Sequence, residues 1–222
     1  HLFLGVYKKE KYAHIIEKVR GFNAERAFAA LDDAGAIFLT PEDPRWPMKV
    51  NQLPCPPIGL VVKGNVEILS NNSFSIVGTR KPTAYGIGIA TEFATGFVDR
   101  GWDIVSGGAY GIDSAAHRGA LLAEGRTIAV IASGVDLHYP SGNARLFEEI
   151  CENGAIVSEV MPGVAALPHR FLTRNRLIAA LSDATLVVEA AFRSGSLRTA
   201  RDAAELMRPV MAIPGPINSP SS

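Results

Sequence analysis

The sequence has no long hydrophobic run, only two cysteines and no methionine at its start. A membrane-spanning helix needs about 18 or more consecutive apolar residues, so we expect no membrane span. The opening residues, His1–Glu10, lack the charged-then-apolar layout of a signal peptide, which indicates a fragment of a cytoplasmic protein. Cys55 and Cys151 stand far apart, without a CxxC pair or a histidine at ligand spacing. They are therefore predicted to be buried, reduced thiols that hold no metal.

The chain also has no excess of charge of either sign, since Lys and Arg number 22 and so do Asp and Glu. This balance argues against a protein that coats nucleic acid through bulk positive potential. Residues 169–201, however, hold six arginines against Asp183 and Glu189, which leaves a local excess of four positive charges. Arginine is suited to binding phosphates and stacking on bases. The six are Arg170, Arg174, Arg176, Arg193, Arg198 and Arg201.

Familiar catalytic motifs are missing as well. The sequence contains no GxSxG, HExxH or Walker loop, and few carboxylates lie near the predicted strand ends. Glu189 is the one acid to consider there as a base, but we expect it to orient an arginine instead. The glycine-rich segment 106–113 has the wrong spacing for dinucleotide binding, and no acidic residue ends the following strand. We therefore expect a protein that is not an enzyme and has no cofactor.

What the sequence does contain, from Ser73 onward, is a regular alternation of short apolar runs and amphipathic helix-length segments. Apolar strands separated by such helices indicate a parallel sheet covered on both faces. The predicted fold is α/β, a Rossmann-like, doubly wound, mostly parallel sheet with helices on both faces. The predicted strands are Phe74–Val77, Asp103–Ser106, Thr127–Ala132, Ala155–Ser158, Thr185–Glu189 and Val210–Ile213, and the predicted helices span about 84–100, 112–124, 143–152, 172–182 and 196–206.

This alternating region is preceded by two segments of different character. Residues 1–40 are predicted to be a small helical domain, in which Ala24–Ala34 is followed by Gly35 as a stop. Residues 41–72 are predicted to be a proline-rich connector with a lead-in strand at Ile58–Lys63. Residues 73–222 then form the Rossmann-like domain, and ligands of such sheets bind at the carboxyl ends of the strands.

Three loops at these predicted strand ends carry glycine and hydroxyl residues. Gly78-Thr79-Arg80 can offer N–H groups and a guanidinium to a phosphate, or can be a tight turn with a solvent-facing arginine. Gly107-Gly108 opens a helix whose N-terminus favours an anion, although Asp113 could cap that helix instead. Ser194-Gly195-Ser196 opens a second helix in the same way. Three such loops at one edge of a sheet are best explained together by a chain of phosphates.

An aromatic residue lies among the arginines at the start of a predicted helix. Phe171 is flanked by Arg170, Arg174 and Arg176. Aromatic rings stack on bases while arginines bind phosphates, so this composition suits single-stranded nucleic acid. The alternative is that Phe171 caps the core and that the arginines form salt bridges. The sequence leaves both interpretations open.

From about residue 40 to the end, these segments resemble the DprA/Smf family of DNA-processing proteins. The resemblance rests on many motifs that occur in the family's order. They are Asp43-Pro44-x-Trp46-Pro47, Lys63-Gly64-Asn65, Ile76–Arg80 with Tyr85-Gly86, Ser106–Gly108 with Gly111–Asp113, Ala116–Ala120, Tyr139-Pro140 with Asn143, Phe171-Leu172-x-Arg174-Asn175-Arg176, and Ser194–Ser196 through Pro214-Gly215.

The resemblance implies a protein of natural transformation and recombination that protects incoming single-stranded DNA and helps to load the RecA recombinase on it. It also implies a homodimer and a SAM-like N-terminal domain, of which residues 1–40 would be a part. Phe171 would stack on a base in the DNA pocket. The complete set of predicted DNA-binding residues is Gly78, Thr79, Arg80, Gly107, Gly108, Asn143, Arg170, Phe171, Arg174, Asn175, Arg176, Ser194, Gly195 and Ser196.

The sequence departs from the family pattern at two positions. Pro168 stands where a family member can use lysine to contact DNA, which puts that contact in doubt. Met207 stands at a helix end where glycine is frequent in the family. A left-handed conformation at a non-glycine residue costs about 1 kcal/mol.

Two other functions are alternatives to DNA binding. Related Rossmann-like enzymes bind a nucleoside monophosphate and cleave its glycosidic bond, using a glycine-rich loop and a glutamate. Here Ser194-Gly195-Ser196 replaces the expected Pro-Gly-Gly-x-Gly-Thr, and no glutamate follows two to five residues later, which counts against catalysis. A pure interaction scaffold with a vestigial pocket is the third possibility, and the clustered arginines argue against it.

Overall fold

The computed structural model describes residue 17, residues 19–192 and residues 194–215. Within these residues an eight-stranded sheet forms the centre, in the order β1-β2-β6-β5-β4-β3-β7-β8. The strands are β1 (Ala36–Leu39), β2 (Leu60–Gly64), β3 (Ser73–Val77), β4 (Asp103–Ser106), β5 (Thr127–Val130), β6 (Ala155–Ser158), β7 (Ala184–Val187) and β8 (Val210–Ala212).

Most of the sheet is parallel, as the apolar strand pattern predicted. Strands β3 to β8 pair only in parallel with one another, whereas β2 pairs antiparallel with β6, and β1 antiparallel with β2. The predicted α/β fold is therefore confirmed, and its mixed character comes from the two lead-in strands at one edge.

Strand β1 corrects the expectation that the first forty residues are helical. Helix α1 (Ala24–Ala34) ends at Gly35, whose φ of 61° is left-handed, and the chain then pairs with β2 from Ala36. Only Ala36 and Leu39 of this strand are buried. A run of four residues is too short for its periodicity to separate strand from helix. Antiparallel pairing with β2, which the sequence does not reveal, decides its conformation.

The helices that follow agree with the predicted segments to within a few residues. They are α2 (Ala84–Val98), α3 (Ile112–Leu122), α4 (Ala144–Asn153), α5 (Pro168–Leu181) and α6 (Gly195–Glu205), with short 3-10 helices at Met48–Gln52, Val66–Ser70 and Ser141–Asn143. Helix α5 begins four residues earlier than predicted, because Pro168 occupies the first turn. Proline fits there, since its fixed φ is helical and its missing N–H would have no helical partner.

The strands divide their side chains between two layers of helices. In β3, for example, Ile76 packs with α2 and α3, and the next residue, Val77, packs with α5 on the opposite face. This alternation follows from the two-residue period of a strand. Helices α5 and α6 cover one face, and α1 to α4 cover the other. Helices on both faces confirm the doubly wound prediction.

The strand order creates a crevice at the carboxyl edge of the sheet. From β3 the chain passes through α2 to β4 on one side, whereas β7 lies on the other side of β3 and leads into α6. The loops after β3 and β7 therefore diverge to opposite faces, and ligands of open α/β sheets bind at such a point.

Three further sequence expectations concern the two cysteines, Met207 and membrane-spanning helices. Cys55 and Cys151 are both free, but Cys55 is exposed, so the prediction of two buried thiols is wrong for Cys55. Burial raises the pKa of the Cys151 thiol. Met207 follows the end of α6 with a φ of 58°, the left-handed conformation considered for it. No helix among the described residues is long and apolar enough to cross a membrane.

A buried histidine lies between α3 and the sheet. The Nδ1 atom of His117 lies 2.7 Å from the hydroxyl oxygen of Thr127, and that hydroxyl donates to the carbonyl of Ile104 at 2.8 Å. Nδ1–H is therefore the donor to Thr127, and Nε2 has no hydrogen-bond partner in the described part of the chain. Burial, and then the charge of Arg174, lower the pKa of His117 to about 3.

His117 is expected to make the protein less stable as the pH falls. The unfolded chain takes up this proton near pH 6.5 and the folded chain only near pH 3. The free energy of unfolding therefore decreases below pH 6.5, by up to about 1.4 kcal/mol per pH unit. In urea denaturation between pH 6 and pH 5, His117→Gln should remove this part of the slope. A variant with the wild-type slope would contradict the assignment of a neutral, buried imidazole.

Candidate nucleic-acid interface

Two adjoining cavities lie at the carboxyl edge of the sheet, and both are lined by Arg80, Ala109, Phe171 and Arg174. The larger cavity has a volume of about 330 Å³, and the smaller one about 60 Å³. The larger is lined by Val77, Gly78, Thr79, Arg80, Ala109, Asp113, Phe171, Leu172, Arg174, Asn175, Ile178, Ser194, Gly195, Ser196 and Thr199. The smaller is lined by Arg80, Gly107, Ala109, Tyr110, Ala132, Tyr139, Pro140, Ala166, Phe171 and Arg174.

The Arg80 loop, residues 78–83 after β3, forms one wall. Its backbone is fixed on both sides, because the Thr79 N–H donates to the carbonyl of Glu189 at 2.6 Å and the Thr79 carbonyl accepts from Ile112 N–H at 3.2 Å. Gly78 allows this close packing, since a Cβ atom there would meet the Ile112 side chain. Arg80 itself is exposed at the mouth of both cavities.

The glycine loop, Gly107–Gly111 after β4, forms the floor. A Cβ atom at Gly107 would lie 2.7 Å from both an Arg174 nitrogen and an Asp113 oxygen, so only glycine lets these groups approach. Gly108 has a φ of 68°, a conformation that glycine adopts without strain. From below, the buried Asn143 side chain donates to the Gly108 carbonyl at 3.0 Å. Gly108 and Asn143 thus support the floor and do not line either cavity.

Phe171 stands between the two cavities and is surrounded by cations and aromatic rings. The guanidinium carbon of Arg80 lies 5.4 Å from the ring centroid, and that of Arg174 lies 6.0 Å from it. The Tyr139 ring is 5.4 Å away at an angle of 54°. The ring is half-buried and belongs to none of the three hydrophobic clusters among the described residues. Phe171 is therefore available to a ligand and is not a core residue.

Arg174 is buried, with 6% of its surface exposed, and reaches under Phe171 to the sheet. Its guanidinium donates to the carbonyl of Gly107 at 2.6 Å and to that of Val130. Burial, and then repulsion by Arg80, lower its pKa to about 10, so it is still a cation at neutral pH. Burial raises the pKa of the neighbouring Asp113 carboxyl, although the charge of Arg174 opposes this shift. The site therefore contains a fixed internal positive charge.

The N-terminus of α6 forms the far wall of the larger cavity. The hydroxyls of Ser194 and Ser196 bond to each other at 2.8 Å, and the Asn175 side chain donates to the Gly195 carbonyl at 3.0 Å. Ser194 makes no side-chain capping bond to the helix among the described contacts. The first-turn N–H groups and the helix dipole are therefore available to an anion in the cavity.

Several predicted arginines are engaged elsewhere. Arg170 donates to the Ala165 carbonyl at 2.5 Å, and Arg176 pairs with Glu159 and donates to the Cys55 carbonyl at 2.5 Å. Arg198 forms an ion pair with Asp202. None of these three lines the two cavities, and Arg193 lies outside the described residues. Arg176 thus forms a salt bridge of the kind that the sequence left open for the arginines around Phe171, and Arg198 forms one as well.

The structure also shows what sequence reasoning missed. Tyr110 and Tyr139 line the smaller cavity, about half of each side chain is exposed, and neither was among the predicted site residues. Both are aromatic residues in loops that follow strands, and that position could have singled them out in the sequence. Glu189 was expected to orient an arginine, but its carboxylate accepts from Thr83 instead.

The amino-acid sequence matches a known protein family over most of its length. The sequence model of the family described as DNA recombination-mediator protein A matches residues 37–222. The chain belongs to the DNA recombination-mediator protein A family. Protein Smf from Synechocystis sp. is 43% identical over 220 residues, which are 95% of this chain and 54% of that protein. The chain thus spans about half the length of this relative of the family.

Two solved structures of DNA processing protein A have the same fold. The X-ray structure from Streptococcus pneumoniae matches with a TM-score of 0.85 and 34% identity, over 94% of this chain and 73% of that one. A structure from Helicobacter pylori, described as giving insights into a single-stranded DNA binding mode, matches with a TM-score of 0.75 and 34% identity, over 82% of each chain. The family's fold therefore extends over almost all of the described residues.

Replacing the buried Arg174 should destabilise the protein far more than replacing an exposed arginine. Arg174→Met leaves the carbonyls of Gly107 and Val130 without this donor and Asp113 without its nearby cation, so we expect a loss of about 3 kcal/mol. Arg145, whose side chain is 90% exposed in an ion pair with Glu149, is the control. Arg145→Met should cost about 0.5 kcal/mol or less. Equal losses in urea denaturation would contradict the structural role of Arg174.

Proposed function

We propose that this protein binds single-stranded DNA, without strong sequence preference, in the groove formed by the two cavities, and leaves the DNA chemically unchanged. The observation that carries the proposal is the position of Phe171. Its ring lies beside Arg80 and Tyr139, between an aromatic cavity and a cavity lined by a helix N-terminus. Single strands are bound by aromatic rings for the bases next to cationic groups for the phosphates. The description of the Helicobacter pylori relative supports the same ligand.

In this proposal the two cavities receive different parts of a nucleotide. The larger one receives phosphate, because Thr79, Ser194 and Ser196 offer hydroxyl groups there and α6 begins beside them. The smaller one receives the edge of a base, because Tyr110, Tyr139 and Phe171 line it. Base stacking tolerates any sequence, since every base has a π-face.

Arg80 is proposed to exchange partners when DNA binds. Its guanidinium lies over the Phe171 ring in the present structure, at 5.4 Å from the centroid. A base that stacks on this side of the ring takes that place, and the exposed guanidinium is then free to pair with a phosphate. One side chain thereby links the aromatic site to the phosphate site.

We further propose that the protein protects incoming DNA and assists RecA loading in natural transformation and recombination, as a homodimer in the cytoplasm. The description of the family as recombination mediators supports the link to recombination.

The groove contains most of the predicted DNA-binding residues. Those that line it are Gly78, Thr79, Arg80, Gly107, Phe171, Arg174, Asn175 and Ser194–Ser196. Gly108 and Asn143 hold its floor.

The proposal predicts a strong preference for single strands. In fluorescence anisotropy with a labelled dT oligonucleotide and the matching duplex, we expect tighter binding of the single strand at every salt concentration. The logarithm of the affinity should fall linearly with the logarithm of the salt concentration, by about 0.7 for each phosphate neutralised. An equal or greater affinity for the duplex would refute the proposal. Release of free base from nucleoside monophosphates would favour the enzymatic alternative instead.

Phe171→Ala should weaken single-strand binding by about 1–3 kcal/mol, because a stacked base loses its aromatic partner. Phe93 in α2 is a suitable control, since it is a partly exposed phenylalanine that lines neither cavity. Phe93→Ala should leave the affinity unchanged in the same titration. If both variants fold and bind as the wild type does, no base stacks on Phe171.

A further inference from the structure

Glu189, two residues after the end of β7, reaches across to the start of α2. Its carboxylate accepts from the Thr83 N–H at 2.9 Å and from the Thr83 hydroxyl at 2.5 Å. The same hydroxyl oxygen accepts from the Gly86 N–H at 3.1 Å and so caps the helix. The carboxylate is therefore bonded to the N-cap residue of α2 and is not part of the lining of either cavity.

The backbone of Glu189 binds the other end of the same loop. Its carbonyl accepts from the Thr79 N–H at 2.6 Å. Thr79 and Thr83 flank the three residues Arg80, Lys81 and Pro82. One residue at the end of β7 thus holds both ends of the segment that carries Arg80, across the point where the loops after β3 and β7 diverge.

The packing at Gly86 shows that the carboxylate has a closely fitted place. A Cβ atom at this glycine would lie 2.6 Å from the carboxyl carbon of Glu189 and within 2.9 Å of both its oxygens. Any side chain at position 86 would therefore displace the carboxylate. At Gly88, two residues further along α2, a Cβ atom would meet nothing within 4 Å.

We propose that Glu189 is a positioning residue for DNA binding, which holds the Arg80 loop so that the guanidinium lies beside Phe171. This inference rests on the proposed binding of single-stranded DNA at Arg80. A loop fixed before binding has less freedom to lose when the ligand arrives, so the affinity is higher. By holding the loop, the carboxylate strengthens DNA binding. Its own negative charge weakens DNA binding, because it repels phosphate.

Two substitutions that remove the same charge separate these effects. Glu189→Ala loses both bonds to Thr83, whereas Glu189→Gln keeps an acceptor for one of them. We expect Glu189→Ala to weaken binding of a labelled dT oligonucleotide about tenfold, the scale of one lost bond to a charged group. Glu189→Gln should fall between Glu189→Ala and the wild type. Equal tightening by both would mean that Glu189 acts by repulsion alone, and unchanged binding would also overturn the inference.

A second pair of variants tests the position of the Glu189 carboxylate without removing its charge. Gly86→Ala displaces the Glu189 carboxylate, and Gly88→Ala adds the same methyl group to the same helix where it meets nothing within 4 Å. Gly86→Ala should weaken single-strand binding, and Gly88→Ala should not. Equal affinities of these two variants would contradict a positioning role for the carboxylate. Circular dichroism and thermal unfolding identify any variant that has lost its fold.

Coupling to Arg80 distinguishes positioning from general destabilisation. Arg80→Ala should weaken binding and lower the salt dependence by about 0.7, the contribution of one phosphate. Adding Glu189→Ala to Arg80→Ala should then change the affinity less than about twofold, because the group that was positioned is gone. Two fully additive losses would reject the inference. If the wild type itself binds no single strand, the proposed function fails. If the wild type binds and the Glu189 variants bind with the same affinity, only the positioning role fails.

Discussion

The interface depends on one buried interaction, that of the Arg174 guanidinium with the carbonyls of Gly107 and Val130. These carbonyls lie at the ends of neighbouring strands, so the side chain fastens α5 to the carboxyl edge of the sheet. Such a contact needs glycine at position 107, because any side chain there would overlap the guanidinium and Asp113. It also fixes the backbone from which Phe171 projects, three residues earlier in the same helix. The aromatic cavity and the cavity beside α6 are thereby held at one distance from each other.

A chain without net charge can still present a site for a polyanion, because here the positive potential is local. Arg174 supplies a buried positive charge, and Arg80 supplies an exposed one. The N-terminus of α6 adds a partial positive charge from backbone groups alone. In contrast, the ion pairs of Arg176 and Arg198 neutralise charges that the sequence counted toward the local excess. Position, more than the number of arginines, determines the field in the groove.

The sequence was sufficient to predict the sheet, because its central strands are continuous apolar runs with helices between them. It was insufficient for β1, where four residues carry too little periodicity and pairing with β2 decides the conformation. The loops of the site could be predicted because carboxyl ends of parallel strands share one edge. Which arginines face the groove could not, because burial of Arg174 and pairing of Arg176 depend on distant residues. The bond between Glu189 and Thr83 spans 106 positions and leaves no local pattern.

The shape of the groove gives a physical reason for the proposed preference for a single strand. Phe171 is half-buried and covered in part by Arg80 and Tyr139, so a base must enter the groove to stack on it. In a duplex, each base is already stacked and paired, and turning it out costs a few kcal/mol. An unpaired strand avoids most of that cost and can present successive bases and phosphates together. Since the smaller cavity is lined mainly by rings and small side chains, few groups are placed to read the edge of a base. The proposed selection for single strands and the proposed tolerance of sequence thus share one physical cause, the recessed aromatic ring.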